Sequence, residues 1–335
     1  MNVNSIGDLA KNLQLRRDTA RIRTDLNRLT QELSSGVDSN LVNRFKGNFA
    51  PLSGIERGLA RAESFLAVIS EHDLVVSSAQ GALSNLRTLG EISGTLLTVQ
   101  DTSDPTLMIN AGHDAMSRFS SVINTLNVQS GGRSVFSGVT TDRPALADAE
   151  TIMTALESEI ALAGAVSAND VVTVVSTWFA VGGGYDTLGY IGGAQATAGP
   201  RLSDGETAPP PITADHEAVR SYLAALAMGG LLGRDVLPGN TEEQGMLARE
   251  AGLHLIDADD QLVDLKASLG SIQGQVQRAR SEVMAETEGL EIARTGLLGV
   301  DPYEAAVELQ SAESQLQSLY TITARLSRLS LTGYL

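Results

Sequence analysis

The feature that most constrains this chain is a seven-residue apolar rhythm that returns in several stretches. Between Ser53 and Gly94 one ruled line carries Ile55, Leu59, Ala62, Leu66, Ile69, Asp73, Val76, Gln80, Leu83, Arg87 and Gly90 at alternating spacings of four and three. Residues three and four apart stack on one face of a helix, so this is the seam of a long helix lying along a partner. It reads as a rod. Asp73, Gln80 and Arg87 interrupt the seam, and polar residues there fix register at some cost in stability. The same ruler on Pro302 to Leu335 picks out Ala305, Leu309, Ala312, Leu316, Leu319, Thr323, Leu326 and Ser330, with Ile322 and Leu329 widening the stripe. This helix also wants a long partner, and its apolar end from Leu329 to Leu335 calls for a cover.

The other stretches fall in around these two. Asn4 or Ser5 caps a first helix with Ile6, Leu9 and Leu13 on one face; Leu15, Ile22, Leu26, Leu29 and Leu33 then carry a second stripe until Ser34-Ser35-Gly36 stops the helix. Val37 to Pro51 reads as an irregular link. After a turn at Asp101 to Pro105, Ile109, Met116, Ile123 and Leu126 mark another helix, expected to end at Gly131-Gly132. Thr241 opens a helical stretch to about Gly296, with a break expected near Gly270. Asp301 then suits a cap and Pro302 the first position of the last helix.

Residues 142–235 differ in composition. They hold 12 acidic against 4 basic residues, a net charge of -8 within a chain total of -16. Val171-Val-Thr-Val-Val175, Gly182-Gly-Gly184 and Pro209-Pro-Pro211 suggest short strands and turns, with two helical pieces at 147–163 and 213–228. The expected fold is mainly α: an elongated antiparallel helical rod built from both chain ends, with a small α+β or mostly β insert domain, separate and mostly exposed. The expected segments are an assembly helix and link (1–50), the first half of the rod (51–140), an acidic insert domain with strands (141–238), the second half of the rod (239–300) and a C-terminal assembly helix (301–335).

The composition narrows the chemistry. With 24 Lys and Arg against 40 Asp and Glu and no segregated basic patch, nucleic acid is not an expected partner. No apolar run approaches the roughly 20 residues of a membrane span, and the start lacks the apolar core of a cleavable signal peptide, so no membrane insertion is expected. The absence of cysteine removes disulfides, thiolate catalysis and thiolate metal sites. His72, His113, His216 and His254 sit in four different segments without a second ligand at helical spacing. Asp257, Asp259 and Asp260 fail as a calcium loop, because Leu262 and Ser268 stand where Gly and a bidentate Glu belong. Gly182-Gly-Gly184 has neither dinucleotide nor phosphate-loop spacing, and no Gly-x-Ser-x-Gly elbow occurs. The expectation is a protein that is not an enzyme and has no catalytic, cofactor or metal site.

Arg28-Leu-Thr-Gln-Glu-Leu-Ser-Ser-Gly36, Asp301-Pro-Tyr-Glu-Ala-Ala306 and Leu329-Ser-Leu-Thr-Gly-Tyr-Leu335 resemble the two ends of the flagellin superfamily. Gly132-Arg-Ser-Val-Phe-Ser-Gly138, followed by Pro144, looks like an element of the hook-associated protein 3 family within it; Phe136, Ser137 and Gly138 carry that likeness. The resemblance covers roughly 1–145 and 240–335 and says little about the acidic segment. It departs at Asn43-Arg-Phe-Lys-Gly47, where family members commonly carry an Asp-Asp or Asp-Asp-Pro run.

What the resemblance implies is an extracellular structural subunit of the bacterial flagellum at the hook-filament junction, exported through the type III channel without a cleavable signal. The implied partners are copies of itself in a ring, hook-associated protein 1, flagellin and an export chaperone. Its assembly residues would be Ile6, Leu9, Leu13, Ile22, Leu26, Leu29, Leu33, Leu309, Leu316, Leu319, Leu326, Leu329, Leu331 and Leu335. The alternatives are a flagellin, the bulk filament subunit, or an unrelated surface module whose acidic insert binds a ligand.

Overall fold

The computed structural model describes residues 3–102, 104–195 and 198–332, with side chains described from residue 10 to residue 325 of those, residue 12 excepted. The chain is mainly α. Its helices are α1 (Val3–Ser35), α2 (Leu41–Arg44), α3 (Ala50–Leu89), α4 (Ser93–Val99), α5 (Pro105–Leu126), α6 (Ala149–Ala163), α7 (Ala168–Phe179), α8 (Glu217–Leu231), α9 (Thr241–Leu298) and α10 (Pro302–Thr332). Two short strands, β1 (Gln129–Ser130) and β2 (Arg133–Ser134), make an antiparallel hairpin, the only sheet among the described residues. Two compact units result: Met1–Ala62 with Ala285–Leu335, and Glu63–Met284.

In the larger unit the expected seam of α3 is used as expected. Ile69, Val76 and Leu83 are buried, as are Leu86 beside the seam and Leu262, Leu265, Leu269, Val276 and Val283 of α9. Two of the three polar seam residues, Asp73 and Arg87, find partners on α9 in an antiparallel register. Asp73 accepts from Gln277 at 3.1 Å and lies 3.3 Å from Arg280, Gln273 reaches Ser77 at 3.5 Å, and Arg87 grips Asp259 through two bonds of 3.0 and 3.2 Å. A slip of α9 by one turn would separate these pairs, so they fix the register that the apolar residues alone leave loose. α9 runs through Gly270 without a break.

Around that pair, α5 and α8 form the deepest layer. Asp104 accepts from the Thr106 amide at 2.9 Å and Pro105 takes the first helical position, starting α5 where Met108, Ala115, Phe119, Val122 and Leu126 turn inward. Every residue of α8 except Glu217 and Ser221 is buried. Small residues permit this: a Cβ on Gly112 of α5 would lie 2.0 Å from the Gly233 amide nitrogen, so the two backbones come closer than any other residue pair would allow.

Three expectations change here. Val171 to Val175, expected as a strand, lies within α7. Ser167 and Asp170 form a reciprocal capping box at its start, and Val171, Val175 and Trp178 then recur on one buried face; cap and core outweigh the β preference of a Val-rich run. No strand longer than an isolated bridge occurs among the described residues of 141–238. Nor is the acidic segment mostly exposed: Ile152, Met153, Leu156, Val171, Val175 and Trp178 belong to one core with Phe119 and Leu126 of α5 and Leu86 of α3. Its four basic residues, Arg143, Arg201, Arg220 and Arg234, each lie within 4.0 Å of a carboxylate. Gly131-Gly132 does not end α5, which stops at Leu126. With φ of +59° and +78°, this glycine pair makes the tight turn of the β1–β2 hairpin.

Candidate assembly interface

The smaller unit holds the residues that the rhythm at the two ends singled out. α1 and α10 pack side by side along a narrow apolar core made of Ile22 and Leu29 of α1 and Ala312 of α10, with Leu26, Leu309, Leu316 and Leu319 half-buried against it. Ala305 is also buried. Farther along, Arg23 donates to the Tyr320 hydroxyl at 2.6 Å and lies over its ring at 6.0 Å. The helices run antiparallel: Arg23 meets Tyr320 at one end, and Val37 pairs with Gly299 in an isolated bridge at the other.

The link after α1 is held by polar contacts. Gly36 takes the left-handed conformation, φ +70°, that lets the chain turn out of the helix. Its carbonyl accepts from the Val300 amide at 3.1 Å, and the Asp38 amide donates to Leu298 at 2.9 Å. Arg44 donates to the carbonyls of Gly299 at 2.6 Å and Gly296 at 3.3 Å, a cation set against the negative end of α9. Buried Glu32 accepts from Arg28 at 2.9 and 3.0 Å and from the Ser39 amide at 3.1 Å, so the carboxylate is satisfied where water does not reach it. Arg44 stands in the stretch 43–47, and there it ties the link to α9.

Not every assembly residue named from the sequence is brought together. Ile22, Leu26, Leu29, Leu309, Leu316 and Leu319 are, but within one chain. Leu13 and Leu33 remain 51% and 40% exposed. Ile6, Leu9, Leu326, Leu329 and Leu331 have side chains outside the described residues, and Leu335 lies outside them altogether. On α10, Val307 and Ile322, at 51% and 47% exposure, are left uncovered by the pairing with α1. Sequence reading missed Glu32, Arg44 and the Arg23–Tyr320 contact. The four-residue spacing of Arg28 and Glu32 was a visible signal for the first; the other two join residues distant in sequence.

The Phe136-Ser137-Gly138 element lies in the larger unit. Phe136 and Ser137 are fully buried. Their carbonyls accept from the Ala214 amide at 2.9 Å and the Gly193 amide at 2.8 Å, and the Val139 amide donates to Ala194 at 3.1 Å. Gly138, φ +67°, has the carbonyl oxygens of Gly193 and Ala194 at 2.5 and 2.6 Å from where a Cβ would stand. The element is therefore a backbone latch that docks two loops of the acidic segment, and glycine alone fits it.

Among the described residues, no helix is long and apolar enough to cross a membrane, and no three His, Cys, Asp or Glu side chains gather as a metal site. Residues 254–335 match the family model of the bacterial flagellin C-terminal helical region. No curated protein matches the chain. Similar solved structures include FlgL from Bacillus cereus, at 13% identity over 72% of this chain and 100% of that one, TM-score 0.49. A Vibrio parahaemolyticus protein described as flagellar hook-associated is 14% identical over 71% of this chain and 95% of that one, TM-score 0.40.

Proposed function

We propose that the chain is a structural subunit of the bacterial flagellum, not an enzyme, that assembles through its first and last helices and joins hook to filament. The observation that carries this reading is the match of residues 254–335 to the flagellin C-terminal helical region, because that span contains α10, the helix packed against α1. Two paired helices cover only one stripe of each other, and an apolar stripe left over is an energetic liability in water and an asset in a polymer. In this reading the chain's own α1 covers one face of α10, while copies of the chain, hook-associated protein 1 and flagellin cover the rest. Export would run through the type III channel with a dedicated chaperone, and the mature subunit would be extracellular. Electron microscopy of cells lacking the chain tests the proposal: hooks without filaments, with flagellin shed into the medium, is the expected picture, and intact filaments would refute it.

The family model is that of flagellin itself, so the bulk filament subunit is the second reading. Copy number separates the two. A single ring of about a dozen subunits fits the junction, and thousands per filament fit flagellin.

A further inference from the structure

A cleft of about 480 Å³ opens in the larger unit between α3, the β1–β2 hairpin and the loops carrying Pro200 and Pro211. Its walls are apolar and stiff: Val68, Val75, Val135, Val139, Pro200 and Pro211. His72 and Ser134 also line it, each only 5% exposed, and His72 Nε2 and Ser134 Oγ are buried with no hydrogen-bond partner in the protein. Two orphaned polar atoms on residues that line one cleft are unusual, since leaving such a group unpaired costs about 1–3 kcal/mol. Arg133 and Glu71, also lining the cleft, are exposed and neutralise one another at 2.5 Å. The volume is that of a small-molecule site.

We propose that this cleft binds a neutral, ring-bearing hydroxyl compound, a phenol in the simplest case, whose ring fills the Val and Pro walls and whose hydroxyl satisfies His72 and Ser134. A hydroxyl both donates and accepts, which is what a neutral imidazole and a serine together offer. Burial favours the neutral imidazole, with Asp73 pulling the other way. The paired Glu71 and Arg133 offer no free charge, and a net charge of -16 disfavours anionic ligands. The same chemistry is available from a free phenol or from a tyrosine side chain of another polypeptide.

The test is a titration of the full chain, labelled with ¹³C-histidine, with 4-ethylphenol and with N-acetyltyrosinamide. The chain has four histidines, so the ring signals are few enough to assign. The expected result is a saturable shift of the His72 signal alone. His72→Leu should weaken binding roughly tenfold, as loss of a hydrogen bond does, measured by calorimetry because that variant lacks the reporter. Val139→Trp provides a second variant at an exposed position, 60% accessible, and should abolish binding by filling the mouth. Tighter binding of 4-ethylphenol identifies a free small molecule, and tighter binding of the amide identifies a polypeptide. An unmoved His72 signal up to the solubility limit would mean that the cleft holds water only and would overturn the proposal. So would equal affinity for 4-ethyltoluene, which lacks the hydroxyl, or binding undiminished by Val139→Trp.

Discussion

Arg44 and Gly299 are 255 positions apart in sequence, yet the guanidinium donates to the Gly299 carbonyl at 2.6 Å and to Gly296 at 3.3 Å. Arg44→Ala should leave those carbonyls to water and loosen the link, by about 1 kcal/mol for a partly exposed cation at a helix end. Arg44→Lys should restore less than half of this, because one ammonium does not reproduce the two-pronged grip. Hydrogen exchange at the Asp38 and Val300 amides reads the effect locally, and unchanged protection there in both variants would rule the clamp out.

Two partly exposed carboxylates of the acidic segment, Asp186 and Asp215, at 30% and 43%, meet at the buried Arg220. It is 7% exposed at the side chain, pairs with Asp186 and Asp215, donates to the Phe179 carbonyl at 2.9 Å and stands 4.7 Å over the Tyr185 ring. Arg220→Met should cost about 1–3 kcal/mol, chiefly from the Phe179 carbonyl left without its donor, because Asp186 and Asp215 keep access to water. Adding Asp186→Asn should recover part of that loss. Simple additivity of the two changes in denaturant melts would contradict the cluster.

Gly138 and Ser137 should behave in opposite ways. Gly138→Ala forces a Cβ against the carbonyls of Gly193 and Ala194 in a left-handed backbone, and should cost about 1–3 kcal/mol. Ser137→Ala removes a buried hydroxyl that has no partner and should be close to neutral or mildly stabilising. Thermal denaturation of the pair decides the matter, and equal losses would mean that Phe136-Ser137-Gly138 is held by more than its backbone.

Stability should fall with mild acid. Burial lowers the pKa of His72 and of His216, against the opposing pull of Asp73 and Glu217 respectively. Both therefore bind protons more weakly folded than unfolded. Their contribution is complete above the unfolded value, about 6.5, and is lost as pH drops from there through the lower folded values. Asp148 and Asp170 act in a separate window. The hydroxyls of Thr151 and Ser167, respectively, hold their pKa values down, so what they contribute is lost only below about 3.9. Denaturant midpoints should be flat between pH 8 and 7 and decline from 6.5 toward 5. His72→Leu should reduce that slope, and an unaltered slope would remove His72 from the account.

Much of the fold was legible because the seam of α3 is a local pattern: its polar interruptions at Asp73 and Arg87 even marked where α9 had to answer. Val171 to Val175 was not legible as a helix, since the deciding forces were a cap at Ser167 and burial against distant elements. At the interface, spacing identified Ile22, Leu29 and Leu316 but could not say which face meets α1 and which stays open. That division comes from how two helices pair: it leaves Val307 and Ile322 exposed, the latter read from sequence only as a widening of the stripe, and under the proposed assembly these are the residues free to meet another subunit.

The division also supplies the most direct test of assembly through the terminal helices. Val307 is half exposed and outside the packed core of α1 and α10, so Val307→Asp should leave the melting of the purified chain within about 2 °C of the parent, as exposed substitutions usually do. In cells whose only copy carries this substitution, a charge would face an interface that must dry on assembly. Electron microscopy should then show hooks without filaments; filaments of normal number and length, from a chain expressed at the parental level, would contradict the account.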